Sequence, residues 1–176
     1  MKKSKEQRVG VFIDVQNLYH TAKNIYKTRV DFGQILKEAI DGRKLIRAFA
    51  YVIRTKGGEE KAFFDALSQL GIETRVKDLK EFYSGVKKAN WDVGLAVDAI
   101  RVGPGVDVVV IVSGDGDFAP LVEYLKNRGK RVEVVAFGKT TAQELIEVAD
   151  EFINLDQNSG HFLMKEKFYS RLIKNQ

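Results

Sequence analysis

One stretch of the sequence indicates the fold, and it reads Val106-Asp107-Val108-Val109-Val110-Ile111-Val112-Ser113-Gly114-Asp115-Gly116-Asp117-Phe118. Its first seven residues form a dense β-branched run, typical of a strand that is buried on both faces. The two glycines that follow predict a tight turn from this strand into a helix. A second run of the same kind, Val9-Gly10-Val11-Phe12-Ile13, ends in Asp14. We therefore predict two central parallel strands, each followed by acidic residues at its carboxyl end.

Strands and helices alternate along most of the remaining chain. Further strands are predicted at 45–52, 72–76, 131–137 and, as a short last one, 152–153. Apolar residues at i, i+3 and i+4 predict helices at 31–40, 59–70, 92–102, 119–128 and 142–149, and Asn17 is predicted to open another after the first strand. This alternation predicts an α/β fold, a doubly wound three-layer sandwich around a central, mainly parallel sheet. Ligands of such folds bind beyond the carboxyl ends of the strands, at the topological switch point.

Three segments are predicted along the chain. Residues 1–8 form a basic N-terminal arm, 9–156 form the α/β domain, and 157–176 form a C-terminal amphipathic helix or tail with Phe162, Leu163 and Met164 on its apolar side. The 176 residues are enough for one domain with a substantial core. No apolar run approaches the roughly 18 residues that a membrane helix needs. No secretory signal is evident, so we expect a cytoplasmic protein without a membrane partner.

Residue types narrow the chemistry that the chain can perform. The absence of cysteine excludes disulfides, thiolate zinc sites and cysteine nucleophiles. With only two histidines, His20 and His161, a histidine-rich metal site or a Ser-His-Asp triad has little material. We therefore expect the chemistry to depend on carboxylates.

The basic balance of the chain favours a polyanionic partner. The formal charge is +5 and the isoelectric point is near 9.3. Between residues 78 and 90, Lys80, Lys87 and Lys88 occur together with the aromatic residues Phe82 and Tyr83, a combination that binds single-stranded nucleic acid. Solvated helix faces and a flexible basic connection explain the same residues equally well, so both interpretations stay open.

Four acidic residues are the candidate site. Asp14, Asp92, Asp115 and Asp117 each lie where a predicted strand ends or a helix begins. Carboxylates brought together at one sheet edge need a counter-charge, and a divalent cation with oxygen ligands supplies it. The sequence therefore predicts a Mg²⁺ or Mn²⁺ site, and from it a nuclease. Helix capping is the alternative role of each residue, although two acids after one strand exceed what a cap requires.

Asp98 is a weaker candidate than Asp92. The two residues are separated by about 240° around the predicted helix, so both cannot point at one spot. Asp98 also has a surface ion pair with Arg101 as its simpler explanation. We therefore assign Asp92 to the site and keep Asp98 as a supporting residue.

Four segments, taken in order, carry a resemblance to a known family. They are Phe-Ile-Asp-x-x-Asn at 12–17, Asp-Val-Gly-Leu-Ala-Val-Asp at 92–98, Val-Ser-Gly-Asp-Gly-Asp-Phe at 112–118, and Glu-Leu-Ile-Glu-Val-Ala-Asp-Glu-Phe at 144–152. The chain resembles the NYN domain family, PIN-like nucleases that include the LabA/DUF88 group, over nearly all of residues 9–156. The resemblance implies a PIN-like fold and metal-dependent ribonuclease activity. It assigns metal binding and catalysis to Asp14, Asp92, Asp115 and Asp117, with Asn17 and Ser113 in support.

Two other carboxylate-dependent folds and one non-catalytic function are the alternatives to a ribonuclease. Haloacid dehalogenase-type phosphotransferases carry an Asp where this chain has Gln16, and Toprim domains carry a Glu where Asp14 stands, so both are disfavoured. A non-catalytic RNA- or metal-binding regulator that uses the same acidic pocket remains the alternative. PIN-like domains often pair, and the C-terminal helix fits either a homodimer interface or a position folded back on its own domain, so both arrangements stay open.

Overall fold

A six-stranded parallel sheet forms the centre of the molecule. The structure, a computed structural model, describes residues 3–54, 60–81, 87–88 and 90–165, with the backbone alone at 80–81 and 87–88. The strand order is β3-β2-β1-β6-β7-β8, and every neighbouring pair is parallel. The strands are β1 Arg8–Asp14, β2 Lys44–Arg54, β3 Glu73–Asp78, β6 Val108–Val112, β7 Arg131–Ala136 and β8 Glu151–Asn154. The prediction of an α/β fold with a central parallel sheet is confirmed.

Helices cover both faces of this sheet. Residues of α1, α2 and α3 pack in one core with the alternate side chains of β1 and β6, and residues of α4, α5 and α6 pack in a second core on the other face. Three layers result, as predicted. The helices are α1 Val15–Thr21, α2 Phe32–Ile40, α3 Lys61–Gln69, α4 Asp92–Val102, α5 Ala119–Asn127, α6 Gln143–Val148 and α7 Ser159–Phe162.

The two central strands are β1 and β6, as the β-branched runs predicted. Their pairing runs from Val9 opposite Val108 to Ile13 opposite Val112, and all five residues of β6 are buried. The chain runs outward from β1 through β2 to β3, and in the opposite direction from β6 through β7 to β8. The switch point therefore lies between β1 and β6, and their carboxyl ends carry Asp14 and Asp115.

Two segments before α4 differ from the sequence-based expectation. The helix after β1 begins at Val15 rather than Asn17, and it continues as a π-helix over Ala22–Tyr26. The stretch between residues 78 and 90, for which a flexible basic connection is one interpretation of the sequence, contains an antiparallel pair, β4 Lys80–Glu81 with β5 Lys87–Lys88. Both differences are differences in the pattern of backbone hydrogen bonds, which the spacing of apolar residues does not encode.

The C-terminal segment also needs a correction. Among residues 157–165, which the structure describes, the expected amphipathic helix is limited to the short α7, which ends at Phe162. Leu163 forms an antiparallel bridge with Val30 instead, and Met164 donates its backbone N–H to the carbonyl of Arg29. Pairing with the 29–30 segment thus replaces helix at these two residues. Residues 166–176 of the predicted helix lie outside the described part of the chain. Among the described residues, no helix is both long and apolar enough to cross a membrane.

A buried ion pair joins Arg43, the residue before β2, to Glu133 of β7. The side chains of Arg43 and Glu133 are 2% and 1% exposed, and two hydrogen bonds of 2.9 and 2.7 Å connect them. Burial alone would raise the pKa of Glu133, but hydrogen bonds from Arg43 and Arg131 hold that pKa below its ordinary value. The carboxylate therefore stays ionised inside the protein because its counter-charges are part of the chain.

We expect Glu133→Gln to lower the free energy of unfolding by about 3–5 kcal/mol, because Arg43 would then be a buried charge without its ionic partner. Glu73→Gln is the matched control, since Glu73 pairs with Arg47 by a similar two-bond geometry at an exposed position. The control should cost only about 0–1 kcal/mol. Urea unfolding of both variants measures the difference, and equal losses would contradict the assigned role of burial.

This stability difference should depend on pH. Because the pKa of Glu133 is lower in the folded protein than its ordinary value of 4.5, its contribution is fully present above pH 4.5. It is lost as the pH falls through the folded-state pKa. We therefore expect the unfolding free energies of the wild type and Glu133→Gln to converge below pH 4.5. A gap that stays constant between pH 7 and pH 3 would contradict this linkage.

A candidate metal centre at the switch point

Asp14 joins the carboxyl ends of the two central strands. It caps α1 by accepting the backbone N–H of Asn17 at Oδ1, at 3.2 Å. Its Oδ2 accepts the hydroxyl of the fully buried Ser113, at 2.9 Å. The side chain of Asn17 accepts the N–H of Gly114 at 2.9 Å in return. These bonds hold the turn after β6 against the start of α1. Capping and site formation are therefore combined at Asp14 and Asn17.

Three carboxylates meet beside this junction. One oxygen each from Asp92, Asp115 and Asp117 lies within 4.8 Å of the others. Asp92 opens α4, whereas Asp115 and Asp117 lie in the turn between β6 and α5, where Asp115 accepts the N–H of Asp117 at 3.0 Å. Asp14 is not a member of this trio, but it lines the same cavity as Asp92 and Asp115. All four predicted acids thus lie at one edge of the sheet.

The electrostatics of these carboxylates favour a bound cation. Burial raises the pKa of Asp14, and the charges of Asp92 and Asp115 raise it further against the lowering effect of its two hydrogen bonds. Partial burial likewise raises the pKa of Asp92, with repulsion from Asp115 and Asp117 as the next causes. Asn90, which donates to Asp92, and Lys77 oppose this increase only in part. Oxygen donors of this kind suit a divalent cation, which would reduce the repulsion.

Asp98 lies away from the trio and has partners of its own. Its carboxylate accepts the hydroxyl of Tyr51 at 3.1 Å and the Nε–H of Arg75 at 3.3 Å. Arg101, the partner expected from the sequence, is more distant at 4.0 Å. The structure therefore brings Asp92 to the acidic group, whereas Asp98 of the same helix pairs with Arg75 of β3.

A cavity of about 310 Å³ opens beside the carboxylates. Sequence reasoning missed several of its lining residues because they come from separate elements. Trp91 could have been suggested by its position next to Asp92, and Gln16 and His20 by their proximity to Asp14 in the chain. No sequence signal marks the others. The lining residues are Asp14, Gln16, Asn17, His20, Tyr51, Ile53, Asn90, Trp91, Asp92 and Asp115.

The predicted nucleic-acid contacts Lys80, Lys87 and Lys88 lie outside the described side chains. The backbone pairs Lys80 with Lys88 in the β4–β5 hairpin, which precedes α4 and Asp92 in the chain. Their role stays a prediction.

The turn that carries Asp115 is closely packed against the segment after β7. A Cβ at Gly114 would lie 2.9 Å from the carbonyl oxygen of Thr140 and 2.9 Å from Oγ1 of Thr141. The hydroxyls of Thr140 and Thr21 lie 2.8 Å apart, which ties this segment to α1 as well. The glycine is therefore required by space, and it allows the acidic turn to lie close to its neighbours.

The fold and the site define a class of three-layer α/β domains that carry a group of carboxylates at the switch point between their central strands. A model of the NYN domain matches residues 8–156. The chain therefore belongs to the NYN domain family, which is nuclease-like.

Individual relatives agree with this assignment. The "Low amplitude and bright protein LabA" of Synechococcus elongatus is 29% identical over 157 residues, which span 85% of this chain and 84% of that protein. The uncharacterized protein MJ0482 of Methanocaldococcus jannaschii is 26% identical over 95% of this chain, which spans 65% of that longer protein. Among solved structures, the protein of unknown function VPA0982 from Vibrio parahaemolyticus superimposes with a TM-score of 0.82 and 34% identity. That match covers 93% of this chain and all of the other.

We expect Gly114→Ala to lower the free energy of unfolding by about 1–3 kcal/mol, because the added methyl group meets backbone that cannot move aside freely. Gly105→Ala is the matched control, since a Cβ there has nothing within 4 Å. Urea unfolding of the two variants provides the comparison. A Gly114→Ala protein as stable as Gly105→Ala would show that the turn is not closely packed.

Proposed function

We propose that the protein is a metal-dependent ribonuclease that hydrolyses phosphodiester bonds of RNA, with single-stranded RNA as its preferred substrate. The observation that carries the proposal is the trio of Asp92, Asp115 and Asp117, whose oxygens lie within 4.8 Å of one another beside an open cavity. Membership of the nuclease-like NYN family supports the same reaction.

The residues present fit a divalent cation. Asp92, Asp115 and Asp117 would hold it, and Asp14 would stand next to it on the cavity wall. Each oxygen of Asp14 already accepts one hydrogen bond and keeps a lone pair for a further contact. A bound Mg²⁺ or Mn²⁺ would supply Lewis-acid stabilisation of the charge that develops on phosphate oxygens during hydrolysis.

The chain's own residues orient this group. The Ser113 hydroxyl fixes the rotation of the Asp14 carboxylate, and Asn90 fixes that of Asp92. Lys77 lies near Asp92 as a cation, with its Nζ 3.0 Å from the carbonyl of Asn90. In this position Lys77 would attract the neighbouring phosphate of an RNA strand. Histidine is not needed for these roles, which agrees with a mechanism based on carboxylates.

We expect Asp115→Asn to reduce the cleavage rate of a labelled single-stranded RNA by more than the roughly 10–100-fold that loss of a supporting partner costs. Asp107→Asn is the matched control, because Asp107 precedes the same strand at its opposite end, where it pairs with Arg8. The assay compares Mn²⁺, Mg²⁺ and EDTA with the same RNA and, in parallel, with the same sequence as DNA and as a duplex.

Thermal unfolding with and without Mn²⁺ separates binding from catalysis. A ligand of the folded state raises stability by RT ln(1 + [L]/Kd), so the wild type and Asp107→Asn should gain stability and Asp115→Asn should gain less. Cleavage that survives EDTA or Asp115→Asn would contradict the proposal. RNA binding that is equal in metal and EDTA, without shortened products, would instead support the non-catalytic regulator.

A further inference from the structure

Five of the residues that line the cavity beside the acidic trio carry no carboxylate, and we call them the neutral wall. Trp91 and Ile53 provide the apolar surface next to the buried Tyr51, and Gln16 and His20 provide polar groups. Binding a cation and a phosphate would not require aromatic, aliphatic and amide groups in the same cavity. The cavity thus combines aromatic and aliphatic side chains with polar ones, as ligand sites do.

The indole of Trp91 is held in one position. Its Nε1–H donates to the carbonyl of Val52 at 2.9 Å, and its ring centroid lies 5.5 Å from that of Tyr51. A Cβ at Gly94 would lie 2.4 Å from the Trp91 ring, so only glycine leaves room for the indole against α4. Lys77 holds its Nζ 4.2 Å from the ring centroid. A surface that is ordered before binding costs little entropy when a ligand contacts it.

Gln16 and His20 are available to a ligand. They lie four residues apart on α1, so their side chains project from the same side of the helix. Within the described part of the chain, neither side chain forms a hydrogen bond to another residue. The amide of Gln16 offers a donor and an acceptor together, and an imidazole can do the same. This is the pairing capacity that the polar edge of a nucleobase requires.

The size of the cavity limits what can enter. A volume of about 310 Å³ is at the lower end of the roughly 300–1,000 Å³ range of ligand pockets. It suits one planar heterocycle and excludes a stacked base pair. A base could enter only after it has left its stack, which is the state in which proteins read single-stranded RNA.

We propose that this wall is a base-binding subsite for one unstacked nucleobase next to the phosphate that is cut. Trp91 and Ile53 contact the apolar body of the base, and Gln16 and His20 bind its polar edge. The subsite rests on the proposed function, because that function identifies the bound strand as RNA. It also deepens the proposed function, because a base-binding subsite would give the enzyme a preference for single strands and a preference among bases.

Trp91 is the only tryptophan of the chain, so its fluorescence reports directly on this wall. The probes are the four ribonucleosides, titrated in EDTA, because they carry no phosphate for the carboxylates to repel. We expect a saturable change in Trp91 emission that is strongest for one or two of the four. Free N-acetyltryptophanamide in the same solutions corrects for absorption by the nucleosides.

Variants test whether the base binds at this wall. Gln16→Ala and His20→Ala should each weaken the nucleoside that binds best by about 2- to 10-fold, the effect of losing one hydrogen bond. Gln69→Ala and His161→Ala are matched controls away from the cavity and should bind as the wild type does. In the cleavage assay, Gln16→Ala should also flatten the preference for the base beside the cut.

The subsite and the nuclease can fail separately. Metal-dependent cleavage combined with no nucleoside-dependent change of Trp91 emission at millimolar concentration would overturn the subsite and leave the nuclease intact. A saturable change that Gln16→Ala and His20→Ala leave unaltered would also overturn it, because the base would then bind elsewhere. Saturable binding that both variants weaken, without any cleavage, would support the subsite and overturn the nuclease.

Discussion

The hydrogen bond from Ser113 to Asp14 joins the carboxyl ends of β1 and β6, and the candidate site is built around this junction. Both strands are buried and paired in register, so their ends must lie side by side. The segments that follow these two strands enter different layers, with α1 on one face of the sheet and the turn to α5 on the other. A cleft at this position is a consequence of the strand order, and the residues after each strand become its walls.

The protein handles buried or crowded charge in two different ways. Glu133 is compensated within the chain, where Arg43 and Arg131 hold its pKa below the ordinary value. Asp14 and Asp92 are not compensated in this way, and their pKa values are raised by burial and then by the neighbouring carboxylates. The first arrangement stabilises the fold without an external ion. The second leaves a deficit of positive charge beside the cavity at the switch point, which is what a cation-binding site requires.

Glycine has a matching role on the two sides of this edge. Gly114 allows the acidic turn to approach the backbone of Thr140, and Gly94 allows the indole of Trp91 to lie against α4. Neither glycine has a positive φ, so space rather than backbone conformation requires them. One glycine therefore helps to position the carboxylates, and the other positions the aromatic wall that faces the same cavity.

The sequence by itself determined the sheet and the acidic edge, because apolar runs and β-branched residues encode burial locally. Asp14, Asp92, Asp115 and Asp117 were predicted from their places at strand ends and helix starts. Only the tertiary structure decided that Asp98 pairs with Arg75 more closely than with Arg101, since this depends on how α4 packs against the sheet. It also decided that Gln16, His20 and Trp91 share a wall, and that Leu163 pairs with Val30 instead of extending a helix. Such contacts join residues distant in the chain, and their energies depend on packing that local sequence patterns do not contain.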